Sequence, residues 1–298
     1  MNLRNKALAA LLGTVVLWAF MVVIARVAVS NTHPIVLLFL RLLVAFLAFL
    51  PILIHFRSWR KPKFTTLAFI SLGSTVNLTF FMLGIKHTSA SASQVIYAVM
   101  PILVLLFGTY FQKHTHTLRK ISGVIIGFIG ISLIVYLSAL EKGTTIAGTF
   151  YGNSLIIIAM LGWTFYLLSS KHITKYFSPL EIGSVTITVG FIVSSILLLF
   201  HLILGGIVGS LAVPALGASL YMGLFGTFAT YILYQYAVKH LLSLTVSLTS
   251  YIQPVTTTFI SMMLLGEKLT TPFIAGSALV FTGIFLVSDI KLVTLSNK

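Results

Sequence analysis

Residues 86–101 read KHTSASASQVIYAVMP, and residues 239–254 read KHLLSLTVSLTSYIQP. Both segments open on Lys-His, run through apolar sequence flecked with small polar residues, and close on proline, 153 positions apart. The same offset, without a gap, sets Gly73 on Gly226, Gly123 on Gly276, Phe128 on Phe281 and Gly130 on Gly283. Nearer the N-terminus the offset is 145, which sets Trp18 on Trp163, Phe20 on Phe165, Arg26 on Lys171 and Pro34 on Pro179. Chance alignment of apolar sequence produces Leu on Leu, not a series of Gly, Pro and Lys-His. The pattern predicts a duplicated chain, residues 1–145 followed by 146–298.

Each copy is built of long apolar runs. The chain of 298 residues is 58% hydrophobic and only 8% charged, and its mean hydropathy is +1.08. A soluble domain solvates its surface with about 25% charged residues, so this surface must face hydrocarbon. Roughly 20 apolar residues cross a bilayer core as a helix. The runs predict spans at Ala7–Val29, Ile35–Ile54, Phe64–Ile85, Ala90–Phe111 and Ile121–Leu140. The second copy repeats them at Phe150–Ser170, Ile182–Leu204, Ala215–Val238, Leu241–Leu265 and Pro272–Ser288. They are too evenly apolar for barrel strands, which alternate. The first run is also too long for a signal-peptide core and reads as a retained span. The expected fold is an all-α membrane protein, ten transmembrane helices in two five-helix repeats.

Five spans is an odd number, so the second repeat must be inverted relative to the first. The charges agree. One set of alternate loops and ends carries Arg4, Lys6, Arg57, Arg60, Lys61, Lys63, Lys113, Arg119, Lys120, Lys171, Lys175, Lys239, Lys291 and Lys298. The other carries Lys86, Lys142 and Lys268, with Arg26 at a span end. Positive loops stay in the cytoplasm, so both termini are expected there, in a bacterial cytoplasmic membrane. The net charge of +15 is thereby read as an orientation signal and not as a nucleic-acid surface. Inverted repeats are characteristic of transporters, because two related halves can exchange inward and outward shapes.

Several segments carry a family resemblance. They are Gly84 to Pro101; Gly223-Leu-Phe-Gly-Thr-Phe-Ala-Thr-Tyr231; Tyr236-Ala-Val-Lys-His240; Gln253-Pro254 through Leu264-Leu-Gly-Glu267; and Gly276 to Gly283. On these the whole chain resembles the drug/metabolite transporter superfamily, in particular the EamA-type ten-span exporters. The resemblance implies a secondary carrier of small metabolites. It does not choose among the amino acids, sugars, nucleotide sugars and other solutes that members carry. One departure is Lys113-His114, which stands where a Gly-Glu pair often ends the fourth span.

Candidate lining residues are the aromatic and polar groups at span depth. Trp18 and Trp163 sit near the middle of spans one and six, away from the interfaces where tryptophan forms belts. They are either core packing or matched walls of a central cavity. Asn77 and Phe81 in span three, Gln94 and Tyr97 in span four, Tyr166 in span six, Tyr231 and Tyr234 in span eight, and Tyr251 and Gln253 in span nine complete the expected substrate-binding set. Ser91, Gln94 and Ala98, like Thr245, Thr249 and Gln253, follow helical spacing, so each forms a polar stripe facing protein or water. The competing reading is interhelical hydrogen bonding. Pro101 and Pro254 are matched kinks, either hinges or static bends. Gly123, Gly127, Gly130, Gly276 and Gly283 allow close helix packing or a homodimer seam.

Arg41 lies about 9 Å into span two at 1.5 Å per residue. It either snorkels to the outer surface or meets an anionic group of the substrate. The acids Glu141, Glu181, Glu267 and Asp289 all lie near span ends, so no carboxylate is expected at mid-membrane. His114 and His116 have no neighbouring acid or thiol and suggest no metal site, and no cofactor is expected. The chain has no cysteine, no His-Glu-x-x-His, no Gly-x-Ser-x-Gly and no P-loop. It therefore carries no enzyme motif and no means of using ATP. The sequence thus reads as an exporter of amino acids or related small metabolites. An uptake carrier or facilitator for a sugar or drug-like compound is the alternative, and a structural membrane protein would have no need of an inverted repeat.

Overall fold

The computed structural model describes residues 2–29, 32–88, 93, 96–112, 117–141, 149–209, 213–256 and 271–287. Helix starts follow local chemistry. Helix α1 (Leu3–Ala28) begins where the Asn2 side chain accepts the Arg4 N–H. Helix α2 (Pro34–Phe56) has His33 as its cap, with Nδ1 accepting the Ile35 N–H, and Pro34 in its first turn. A proline there loses nothing, since that N–H has no helical partner. α2 ends at Arg57, whose φ of 46° turns the chain through a short 3-10 segment, Ser58–Arg60, toward α3 (Phe64–Gly84).

Next come α4 (Met100–Gln112) and α5 (Leu118–Glu141). α6 (Phe150–Ile173) is capped by Thr149. α7 (Pro179–Ile203) opens on a capping box between Ser178 and Glu181, two orphan donors satisfied reciprocally. α8 (Val213–His240) contains a π-helical turn, Leu224–Ala229. The short α9 (Ser243–Ser247) is followed, after a turn at Leu248, by helical residues 249–256. α10 (Thr271–Val287) ends the described chain. Among the described residues the only β-type contact is an isolated bridge between Thr32 and Gly209.

Among these residues, six helices are long and apolar enough to cross a membrane: α1, α2, α3, α6, α7 and α8. Their outward side chains are apolar; Phe69, Ile192, Ile196 and Leu220 are all exposed. In water such a surface would aggregate, whereas in lipid it is ordinary. The protein is an all-α integral membrane protein.

Spans four and nine are not single uninterrupted helices. The chain turns at residues 98–99 before α4 and at Leu248 before the second helical piece of span nine. Pro101 therefore stands in the first turn of α4, where its missing N–H is harmless, and the break lies just ahead of it. Pro101 thus lies near the middle of span four but at the start of a helical piece, not inside one.

Helices pair in a pattern that closes on itself when each is exchanged for the one five places along. α2 packs on α7, α4 on α9 and α5 on α10; α1 on α8 mirrors α6 on α3, and α2 on α8 mirrors α7 on α3. The helices that pair with their own counterparts run antiparallel. Phe49 of α2 meets Gly183 at the start of α7, while Leu42 meets Gly190 further along. In α5 and α10, a Cβ on Gly123 would lie 2.8 Å from the Gly283 carbonyl oxygen, and one on Gly130 2.7 Å from that of Gly276. Lipid gives helices no hydrophobic reason to associate, so close backbone approach must supply the contact. These glycines thus serve close helix packing within one chain, the first of the two uses expected of them.

The register obeys the sequence repeat. Gly73 of α3 packs on α6 against the Phe165 ring, the Gly162 carbonyl and the backbone of Tyr166, and Gly226 of α8 packs on α1 against Met21. Met21 and Tyr166 are themselves 145 apart, and Gly73 and Gly226 are 153 apart.

Candidate functional site

The helix pairs α1·α8 and α3·α6 enclose the centre of the molecule. There Trp18 and Trp163, matched by the repeat, meet each other edge to face with ring centroids 5.5 Å apart. Equivalent residues in contact must straddle the pseudo-two-fold axis relating the halves. Tyr234 supports both rings, at 5.4 Å from Trp18 and 5.0 Å from Trp163. Aromatic pairs at such spacing contribute about 0.5–1.5 kcal/mol beyond their buried area, so the axis is a rigid point.

A cavity opens beside this pair. Its walls are Trp18, Met21 and Val22 of α1, Arg41 of α2, Asn77, Leu78 and Phe81 of α3, Ser93, Tyr97 and Met100 of span four, Trp163 of α6, Tyr231 of α8, and Thr249, Ser250 and Gln253 of span nine. The free space among them is about 750 Å³, counting the space at its mouth.

The polar groups of the walls are mostly committed. Asn77 donates to the Ala159 carbonyl at 2.9 Å and to the Tyr97 hydroxyl. Tyr231 shares a hydrogen bond with Ser74. Thr249 and Ser250 donate back to the Val246 and Ser247 carbonyls. The Gln253 amide lines the cavity with no hydrogen-bond partner among the described residues. Arg41 is 2% exposed. Its Nε donates to Thr227 Oγ1 at 2.6 Å, and its Nη2 to the Gly226 carbonyl at 3.2 Å. Both acceptors lie in the π-helical turn of α8, where Thr227 in turn donates to the Met222 carbonyl at 2.7 Å.

Of the candidate residues, the structure brings Trp18, Asn77, Phe81, Tyr97, Trp163, Tyr231 and Gln253 to one cavity. Three tyrosines are placed elsewhere. Tyr166 stands behind Trp163, fully buried, accepting from Gln235 Nε2 at 2.8 Å and bonded to Thr186 Oγ1 at 3.1 Å. Tyr234 is packed against the tryptophan pair and does not line the cavity. Tyr251 lays its ring on Gly127 and donates to the Val124 carbonyl at 2.8 Å, so it fastens span nine to α5. Gln94, Ser91 and Glu267 lie outside the described residues, as do His114 and His116.

Arg41 does not snorkel: its side chain turns inward and helps wall the cavity. Sequence reasoning kept Arg41 out of the binding set and passed over Met21, Val22, Leu78 and Met100. Met21 and Val22 fall three and four residues after Trp18, hence on its helix face, which is a signal that could have found them.

At each end of the α2·α7 pair a loop clasps a helix cap. At one end Glu181, beside its cap residue Ser178, holds Lys61 at 2.6 Å and accepts from Ser58 at 3.1 Å. At the other end, His33 donates its N–H to the Val208 carbonyl, and its ring stacks on His201 at 4.0 Å. His33 and Ser178 are 145 apart, so the clasps are counterparts under the repeat. Burial first, then His201 and Lys86, holds the His33 imidazole below its ordinary range.

The model of the EamA-like transporter family matches twice, over residues 5–136 and 150–289. An "Uncharacterized transporter" of Archaeoglobus fulgidus is 26% identical over 279 residues, covering 92% of this chain and 95% of that protein. The "Uncharacterized inner membrane transporter YedA" of Escherichia coli is 23% identical over 272 residues, covering 88% and 83%. A solved structure titled "Crystal structure of protein" superposes with a TM-score of 0.77 at 15% identity, over 95% of this chain and 96% of that one. The last shows likeness of fold alone.

Proposed function

Because the chain belongs to the EamA-like transporter family, and is thereby a membrane transporter and not an enzyme, we propose that it is a secondary carrier exporting amino acids or related small metabolites by alternating access. The observation that carries this reading is the meeting of Trp18 and Trp163 across the pseudo-axis, beside a cavity walled by both halves. A site on the axis between inverted repeats is where rocking of one half against the other exposes a solute first to one face and then to the other. The halves are residues 1–145 and 146–298. The breaks ahead of Pro101 and at Leu248, ahead of Pro254, are the hinges.

Substrate binds among Trp18, Phe81, Tyr97, Trp163, Tyr231 and Gln253, with Asn77 held in place by its two hydrogen bonds. Aromatic faces bind an apolar body, and the free Gln253 amide offers a donor and an acceptor. Among the described residues no carboxylate lines the cavity, so a strongly cationic solute would go unmatched there. The membrane is the bacterial cytoplasmic membrane, with both termini inside.

The test is counterflow in proteoliposomes against a panel of amino acids, amides, amines and sugars. We expect at least one amino acid to be carried. Trp163→Ala and Gln253→Ala should fold, as judged by monodisperse elution, and lose most of that transport. Wild-type rates in both folded variants would remove the cavity from the mechanism, and a panel with no carried solute would defeat the carrier reading.

A further inference from the structure

Resting on the carrier reading above, we infer that Arg41 is the docking point for a carboxylate of the transported solute, so that the protein selects organic acids and amino acids by their anionic group.

The guanidinium is nearly inaccessible, at 2% exposed, yet it contributes to the cavity wall. Burying a full charge is costly unless it is paired. Among the described residues the one ion pair is Lys61 with Glu181, at a helix end far along α2 from Arg41. Arg41 has only neutral acceptors, Thr227 Oγ1 and the Gly226 carbonyl. They take one N–H from Nε and one from Nη2. Nη1 has no hydrogen-bond partner among the described residues.

The π-helical turn explains how the arginine is held. A π-helical turn interrupts the regular helix and is frequent at functional sites; here the Gly226 carbonyl accepts from both Arg41 and Thr230 Oγ1. The turn presents Gly226 and Thr227 toward α2. Gly223 and Gly226 allow the approach, since a Cβ on either would run into Val44 or Met21. Two fixed bonds on one edge of a planar guanidinium orient the remaining donors. A carboxylate is the anion whose two oxygens match such a fork. Trp18, Val22, Leu78, Phe81, Tyr97 and Met100 give the cavity a large apolar wall, which suits an apolar body behind that carboxylate.

A purely structural arginine, stapling α2 to α8, would show no preference among solutes. The experiment separates the two. Wild-type protein is titrated with matched acid and primary-amide pairs: 3-phenylpropionate with its amide, hexanoate with its amide, and phenylalanine and leucine with their carboxamides. Binding is read from quenching of tryptophan fluorescence, and carriage from counterflow. We expect at least one acid to bind about tenfold or more tighter than its amide, the value of one charge-assisted contact. Arg41→Gln should bring the acid to the level of its amide, and Arg41→Lys should fall between.

Equal binding of every acid and its amide to wild type overturns the inference, as does the absence of any bound acid. A gap that survives in folded Arg41→Gln overturns it too. If Arg41→Gln does not fold, the wild-type gap and its reduction in Arg41→Lys decide. Carriage of amides, amines or sugars without preference for acids would defeat this inference while leaving the carrier reading intact. Carriage of nothing would defeat the carrier reading itself.

Discussion

Tyr166 and Tyr234 are both fully buried and both touch the Trp163 ring, yet their hydroxyls are in opposite situations. Tyr166 Oη accepts from Gln235 and is bonded to Thr186, which is itself bonded to Ser71. Tyr234 Oη makes no hydrogen bond of good geometry among the described residues, with the Trp163 indole its one weak polar contact. Stranding a buried donor costs about 1–3 kcal/mol, whereas removing a weakly bonded hydroxyl costs little. Tyr166→Phe should therefore lower the melting temperature in detergent by several degrees, and Tyr234→Phe should leave it unchanged or raise it. The opposite ranking would mean that the buried network is misplaced. The sequence could not separate these tyrosines or Tyr251 from the true lining residues. Facing positions along α8 follow from counting 3.6 residues per turn, and the π-helical turn at Leu224–Ala229 shifts that count just before Tyr231. Nothing in the residue types of Leu224–Ala229 announces the shift. The bare polarity of Arg41 at span depth was legible, but the direction of its side chain depended on the Gly226 carbonyl and Thr227 hydroxyl that this same turn presents.

At the scale of helices and their loops, the paired clasps at the ends of α2 and α7 differ in chemistry. Glu181 with Lys61 and Ser58 is an ion pair, while His33 with His201 is a stack of two imidazoles. Two such rings 4.0 Å apart cannot both carry charge cheaply, and Lys86 adds to the cost for His33. Its imidazole titrates lower in the clasp than in water. Above about pH 6.5 both the closed and the open forms are neutral and the clasp is intact. As pH falls below that value the open form takes up protons first, so closure weakens. Spin labels on Val29→Cys and Leu204→Cys should report a longer mean distance at pH 5.5 than at pH 8. His201→Gln should reduce that dependence without abolishing it, since burial and Lys86 remain, and a distance indifferent to pH in the otherwise unchanged protein would refute the pH response. Much of this level could be read in advance. The His33-Pro34 and Ser178-Pro179 starts lie just ahead of the predicted spans, and apolar length located the six long helices. The breaks at residues 98–99 and at Leu248 were not readable. Proline marks where a helix is weakened, but packing decides whether it bends, restarts or stops.

For the whole molecule, the antiparallel pairing of α2 with α7 puts the basic turn of Arg57, Arg60, Lys61 and Lys63 on the opposite face from residues 205–209, which carry no Lys or Arg. Alternate loops and ends of the chain divide fourteen basic residues against three in the same sense. Such a bias sets orientation during insertion, because Lys and Arg resist crossing against the membrane potential. The prediction is that the basic face is cytoplasmic and the histidine clasp faces outward. Absence of native cysteine makes this directly testable, provided the reporter sits where reagent can reach it. Ser58 is unsuitable, being buried against Glu181, whereas Arg60 and Leu204 are exposed. An impermeant maleimide applied to intact cells should label Leu204→Cys and spare Arg60→Cys, and permeabilised cells should label both. The reverse pattern would invert the protein. It would also move the pH-sensitive clasp to the cytoplasmic face, where the pH is buffered, and so remove external acidity as the signal that opens it.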